Sequence, residues 1–254
     1  MILLRRIIPF CASLYLIALF FGLFLRGYEW RVWVAQMAAL IILSIGSMVE
    51  WKFRSKDFWL LAFPLVSLLA GGVGLLFFLN TTLTIVILAS ALVIAFGVYL
   101  ESVFTYRYQP QKYTQLSLPN ISLFINTFSG FSIFATAYAV NLINLLPDWA
   151  IPLIAFGFTL AMMIHIFWGY KIEYRPYIGT IFLVALLMAE LTWVLHFWPT
   201  TFFVNGIIMA IALYSVPSLI HLRLREILTK QLVIQYSIVS LLAILFVMMT
   251  SQWI

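Results

Sequence analysis

Residues 58–100 read FWLLAFPLVSLLAGGVGLLFFLNTTLTIVILASALVIAFGVYL and contain no charged side chain. A helical bilayer crossing takes about 20 apolar residues. The stretch is therefore too long for one crossing and suits two, 58–79 and 82–100, turned at Asn80-Thr81. Both halves are apolar around their whole circumference rather than along one stripe, which marks a spanning helix and not an amphipathic surface helix. The same pattern recurs near 7–25, 32–49, 120–145, 150–169, 177–197, 201–220 and 232–250. The expectation is an all-α polytopic membrane protein, a bundle of about nine transmembrane helices making one domain of residues 1–254.

Composition supports this. Of 254 residues, 65% are hydrophobic and 9% charged, with a mean hydropathy of +1.11. Soluble domains are about 45–50% apolar and about 25% charged, so a water-soluble globule is excluded and no room remains for a soluble domain between spans. The net charge of +6 is scattered through short connectors rather than gathered into a phosphate-binding footprint. No nucleic-acid partner is expected.

The basic residues instead read as an orientation signal, because Lys and Arg in short loops are retained on the cytoplasmic side. Nine spans with a cytoplasmic N-terminus place Arg5, Arg6, Lys52, Arg54, Lys56, Arg107, Lys112, Lys171, Arg175, Arg223, Arg225 and Lys230 inside, which is 12 of the 14, and only Arg26 and Arg31 outside. The C-terminus then lies outside. Tryptophan prefers the headgroup level and agrees: Trp30, Trp33, Trp149, Trp198 and Trp253 fall at outer ends, Trp51, Trp59 and Trp168 at inner ends, and Trp193 one turn inside an outer end. The first apolar run is longer than a signal-peptide core of about 7–15 residues and lacks a small-residue exit, so it reads as a first membrane helix. Cys11 is the only cysteine, which rules out an intrachain disulfide or a cysteine-based zinc site. The expected location is the cytoplasmic membrane of a prokaryote.

Few residues could carry chemistry. Glu190 is the one acid well inside a span, about 20 Å from the inner face at 1.5 Å per residue. A carboxylate there costs several kcal/mol unless it is paired, protonated or wetted, so it reads either as a proton or cation site or as a neutral acid bonding across helices. The fifth span carries a polar and small face, with Asn126, Ser129, Gly130, Ala137, Asn141 and Asn144. Thr136, Tyr138 and Asn141 lie nearest Glu190 in depth and are its expected partners. Arg107, Lys112, Lys171 and Arg175, interleaved with tyrosines in two connectors, are the expected contacts to lipid headgroups.

His165, His196 and His221 lie at different depths and do not read as one metal site; neither a metal nor a cofactor is expected. The pairs Ser67/Gly71, Ala70/Gly74 and Gly206/Ala210 have the small-xxx-small spacing of close helix packing. Pro64 and Pro217 lie inside spans, where they should kink the helix or free a carbonyl. There is no H-E-x-x-H or G-x-S-x-G motif, and no Asp or Lys within a span. The residues favour a non-catalytic membrane-embedded subunit or scaffold, with lipids and proteins of the membrane as partners. The alternatives are a carrier of small or hydrophobic solutes that uses Glu190 and the fifth span, and a lipid-modifying enzyme working at the inner face through His165 or the basic aromatic connectors.

Overall fold

The computed structural model describes residues 2–26, 30–109 and 117–251. Lys112, Tyr113 and Trp253 lie outside the described residues, as do the side chains of Arg26 and Trp30. Among those described there is no strand, and nine helices are long and apolar enough to cross a membrane. They are α1 (Ile2–Arg26), α2 (Trp30–Met48), α3 (Lys56–Leu76), α4 (Thr82–Tyr108), α5 (Ser117–Leu142), α6 (Ala150–Gly169), α7 (Ile178–His196), α8 (Phe202–Leu224) and α9 (Lys230–Thr250), with a 3₁₀ turn at Arg175–Tyr177 before α7.

The helix ends follow local chemistry. Ser55, Thr81 and Thr229 cap α3, α4 and α9, each side-chain oxygen accepting a backbone N–H three residues on, which satisfies one of the orphan donors of a first turn. Helix α4 runs about two turns past the end expected at residue 100, because Glu101 to Tyr108 hold no Gly or Pro and Tyr108 is anchored by donating its hydroxyl to Met48 O at 2.7 Å. Helix α5 stops at Leu142, short of 145. There Asn144 takes a left-handed φ of 57°, which Asn tolerates better than most residues, and so it lies in the connector rather than on the expected helical face.

The helices cluster into two compact units, residues 1–125 and 126–254. In the first, α1 packs on α2 and α4, and α3 packs on both α2 and α4. Trp33 Nε1–H donates to Leu19 O at 3.3 Å, and the fully buried Tyr99 donates its hydroxyl to Leu61 O at 2.9 Å. At one end of the unit Arg5 meets Glu50 at 3.3 Å and also Tyr108, while Lys52 meets Glu50 at 3.6 Å. The Arg5 hydrogen bond, helped by the charge of Lys52, holds the Glu50 carboxyl below its ordinary range. The start of α1, the α2–α3 connector and the end of α4 are therefore neighbours.

Of the small residues of α3, Ser67, Gly71 and Gly72 are buried, and a Cβ on Gly72 would meet Leu92 of α4 at 2.2 Å. Ala70 is exposed and Gly74 only half-buried. The Ala70/Gly74 pair, expected at a helix contact, opens outward instead.

In the second unit α6 and α7 form the closest pair, α8 packs on both, and α9 packs on α8. The Ser215 and Ser240 hydroxyls share a hydrogen bond of 2.7 Å between α8 and α9, yet no residue of α9 is buried. Gly206 of α8 sits against the α5 backbone, as its small-residue spacing predicts: a Cβ there would lie 3.0 Å from both Phe131 O and Ala135 Cβ. Pro64 and Pro217 are buried within continuous helices.

Candidate functional site

Three groupings of polar residues in the second unit bear on a candidate site. The first is the buried face of α5. Asn126 is 0% and His165 1% exposed, and Asn126 Nδ2 lies 3.1 Å from His165 Nδ1, joining α5 to α6. Such a pair is held by the cost of burying an amide or imidazole without a partner. Ser129, Ser132 and Thr159 are buried nearby in sequence on the same two helices. Asn126 Oδ1 and Thr159 Oγ1 are buried without a hydrogen-bond partner among the described residues.

Further along α5, the Tyr138 hydroxyl donates to Thr192 O of α7 at 2.8 Å. Helices α5 and α7 thus touch at the depth where Tyr138 was expected to meet Glu190. They touch on the wrong side for that contact, because two residues separate Glu190 from Thr192, or about 200° at 3.6 residues per turn. Thr192 is buried, whereas Glu190 is exposed and makes no hydrogen bond or ion pair among the described residues. The carboxyl does not meet Thr136, Tyr138 or Asn141, and the expectation that it faces its own bundle is corrected. It sits instead on an outward stripe with Leu183, Leu186, Leu187, Trp193 and Val194, which are all at least 41% exposed.

The second place is the α5–α6 connector. Asn141 Nδ2 donates to Leu146 O and to Asp148 Oδ1, both at 2.8 Å. His196 Nε2, at the end of α7, lies 3.6 Å from the same Asp148 oxygen. Asn141 therefore ties down a connector and does not line a path through the unit. Thr136 is half-buried.

The third place joins the ends of α6 and α8. The Tyr170 ring stacks on His221 at 3.6 Å between centroids, and the Arg225 guanidinium lies 5.0 Å from the centre of the Tyr170 ring. Burial raises the Tyr170 hydroxyl above its ordinary range. The sequence reading missed this stack. Its signal was the spacing of His221 and Arg225, four residues apart and hence on one face. Of the expected headgroup contacts, Lys171 follows Tyr170 and is exposed, Arg175 is exposed in the 3₁₀ turn before α7, and Arg107 is half-buried at the end of α4.

The Asn126–His165, Tyr138–Thr192 and Asn141–Asp148 contacts thus tie helices and connectors together, and among the described residues no three His, Cys, Asp or Glu side chains gather as metal ligands. A protein family described as Protein of unknown function (DUF5656) matches residues 41–250, more than four fifths of the chain. The chain belongs to the DUF5656 family. The DUF5656 match runs from within α2 through α9 and includes Asn126, His165 and Glu190. Comparison with curated proteins and with solved structures gives no match.

Proposed function

We propose that this DUF5656 chain is a multi-pass integral membrane protein of the cytoplasmic membrane of a prokaryote, with an inside N-terminus, and that it is a non-catalytic subunit of a membrane assembly. The observation that carries the subunit reading is Glu190. Its carboxyl lies on an otherwise apolar, outward face of α7 and has no partner among the described residues. A lipid-facing acid costs about 2.5–3.5 kcal/mol at the centre of a span on insertion scales and less toward its ends, and Glu190 lies about 9 Å from the end of α7. A polar or basic side chain on a helix of another protein removes that cost. The contacts Asn126–His165 and Tyr138–Thr192 support the same reading, because they hold helices together.

Glu190→Leu is expected to release the chain from its assembly, and Glu190→Gln, which keeps a hydrogen-bonding head, to retain it. The check is the native mass of the chain extracted in mild detergent from its own membrane, with the unfolding midpoint as the control for folding. The wild type and the Gln variant should run well above the 29.2 kDa of one chain, and the Leu variant at one chain. Wild type and Glu190→Leu running alike, both folded, sinks the reading. A wild-type mass of two chains, lost in Glu190→Leu, makes the partner a second copy rather than another protein.

The orientation has its own test. In a Cys11→Ala background, a cysteine at Gln109 is expected to be shielded from an impermeant thiol reagent in intact cells, and one at Ser251 to be labelled. Labelling at Gln109 overturns the nine-span arrangement.

A further inference from the structure

The face of the first unit between α2 and α3 is an open apolar groove of about 720 Å³. Trp33 and Phe77 stand at one end, Phe53 and Trp59 at the other, and Ala38 and Ala70 line it between them. The groove exists because Ala70 and Gly74 turn outward, where a larger side chain would close it. From Trp59 to Phe77 it runs about 27 Å at 1.5 Å per residue, close to the thickness of a bilayer's hydrocarbon core. Its rim is left uncovered: Trp59 is 67%, Val66 50% and Phe77 66% exposed.

One mouth of the groove is basic. Lys52 and Arg54 flank the lining residue Phe53, and Lys56 opens α3 two residues before the lining residue Phe58. With Arg5 these make four cations at this end against two acids, Glu50 and Asp57, and Glu50 is already engaged by Arg5 and Lys52. Arg54 and Lys56 are exposed and make no ion pair among the described residues. The connector that carries them is held in shape: Glu50 and Trp51 adopt φ of 56° and 59°, the Trp51 ring packs against Gly46, and Ser55 caps α3. The start of α3 adds the positive end of a helix dipole.

We infer that this groove is a binding site for an anionic glycerophospholipid, with an acyl chain along α2 and α3 and the phosphate at Arg54 and Lys56. The charge favours this occupant, because the exposed Arg54 and Lys56 stand at the mouth where a headgroup would lie. A pocket of 300–1,000 Å³ suits a small apolar ligand held by a few polar groups, and anionic headgroups are drawn to basic clusters at the membrane surface. The site rests on the membrane reading alone and is independent of Glu190.

The test is native mass spectrometry of the purified full chain, titrated in detergent with phosphatidylglycerol or with phosphatidylcholine. The expected result is at least tenfold tighter retention of phosphatidylglycerol by the wild type. The double variant Arg54→Gln/Lys56→Gln should bring it down to the phosphatidylcholine level. Ala70→Trp, which fills the groove from its exposed side, should weaken both lipids. All three proteins should unfold at the same temperature, which shows that the losses are local.

Equal retention of the two lipids by the wild type overturns the proposal, as does retention that neither variant changes. A prenyl phosphate that displaces phosphatidylglycerol at a lower concentration overturns the glycerophospholipid assignment. A chain dimer dispersed by Ala70→Trp puts a second copy in the groove and also overturns it. Because the titration is done on the isolated chain, loss of the Glu190 assembly leaves its result intact, and failed lipid binding says nothing against that assembly.

Discussion

Gly206→Leu is expected to lower the unfolding midpoint of the purified protein sharply and to reduce the amount that accumulates in the membrane. A Cβ at this position of α8 lies 3.0 Å from Phe131 O and Ala135 Cβ and 3.1 Å from Ala135 N, so the larger residue meets α5 backbone as well as a side chain. Flexible side-chain ends move aside cheaply, but a helix backbone moves only with its whole element. Overpacking of this kind costs about 1–3 kcal/mol and sometimes more. For the membrane protein proposed here the loss is keenly felt, because close backbone approach through small residues is a main source of helix association in a bilayer. Gly157→Leu in α6 is the control: nothing lies within 4 Å of its Cβ position, and its midpoint should stay at the wild-type value. Equal midpoints for the two variants show that α5 and α8 do not meet at Gly206.

Asn126→Leu is the second large effect. The substitution removes the amide 3.1 Å from the Nδ1 atom of the buried His165 ring, and losing a buried hydrogen bond costs about 0.5–1.5 kcal/mol. His165→Leu should cost a similar amount by removing the partner of the Asn126 amide. The double variant Asn126→Leu/His165→Leu should be less destabilised than the sum of the two, because both halves of one interaction are then apolar and the coupling energy is counted once. Denaturant or thermal unfolding of the four proteins in detergent measures the cycle. Strictly additive losses put the two side chains in separate interactions.

The sequence and the structure agree most where physical chemistry leaves least choice. Runs such as Leu83 to Leu100 can satisfy their backbone groups away from water only as helices, and nine such helices are what the described residues form. Some ends shifted for local reasons that a hydropathy pattern does not carry: α4 extends to reach Met48 through Tyr108, and α5 ends early where Asn141 ties the connector to Asp148. The close packing at Gly206 was legible as a spacing of small residues. That at Gly72 was legible only in part, since α3 carries six small residues and the spacing does not say which of them meet a neighbour.

The candidate residues divide in the same way. Depth along the membrane normal follows from counting residues, so Tyr138 was placed at the level of Glu190, and it does reach α7 there, at Thr192. Rotation about the helix axis does not follow from counting. The stretch from Ile178 to Leu195 is apolar on all sides except at Glu190 and two threonines. Its pattern therefore does not mark which face is buried, and the carboxyl that was expected inside turned out to face outward. The α2–α3 groove was hidden for the same reason, because Ala70 and Gly74 read as packing residues until their neighbours are known.

By itself, then, the sequence determined the helical class and, among the described residues, the number of long apolar helices, their order and their approximate ends, because long uncharged apolar runs can be read from local composition and length. The tertiary structure alone decided which side of each helix is covered. It set Asn126 on His165, turned Glu190 away from α5 and opened the groove between α2 and α3. In water the hydrophobic effect writes the buried face into the sequence as a stripe. Where both sides of a helix are apolar that force no longer discriminates, and the choice passes to shape, to the fit of Gly206 against α5 and to a few hydrogen bonds between helices.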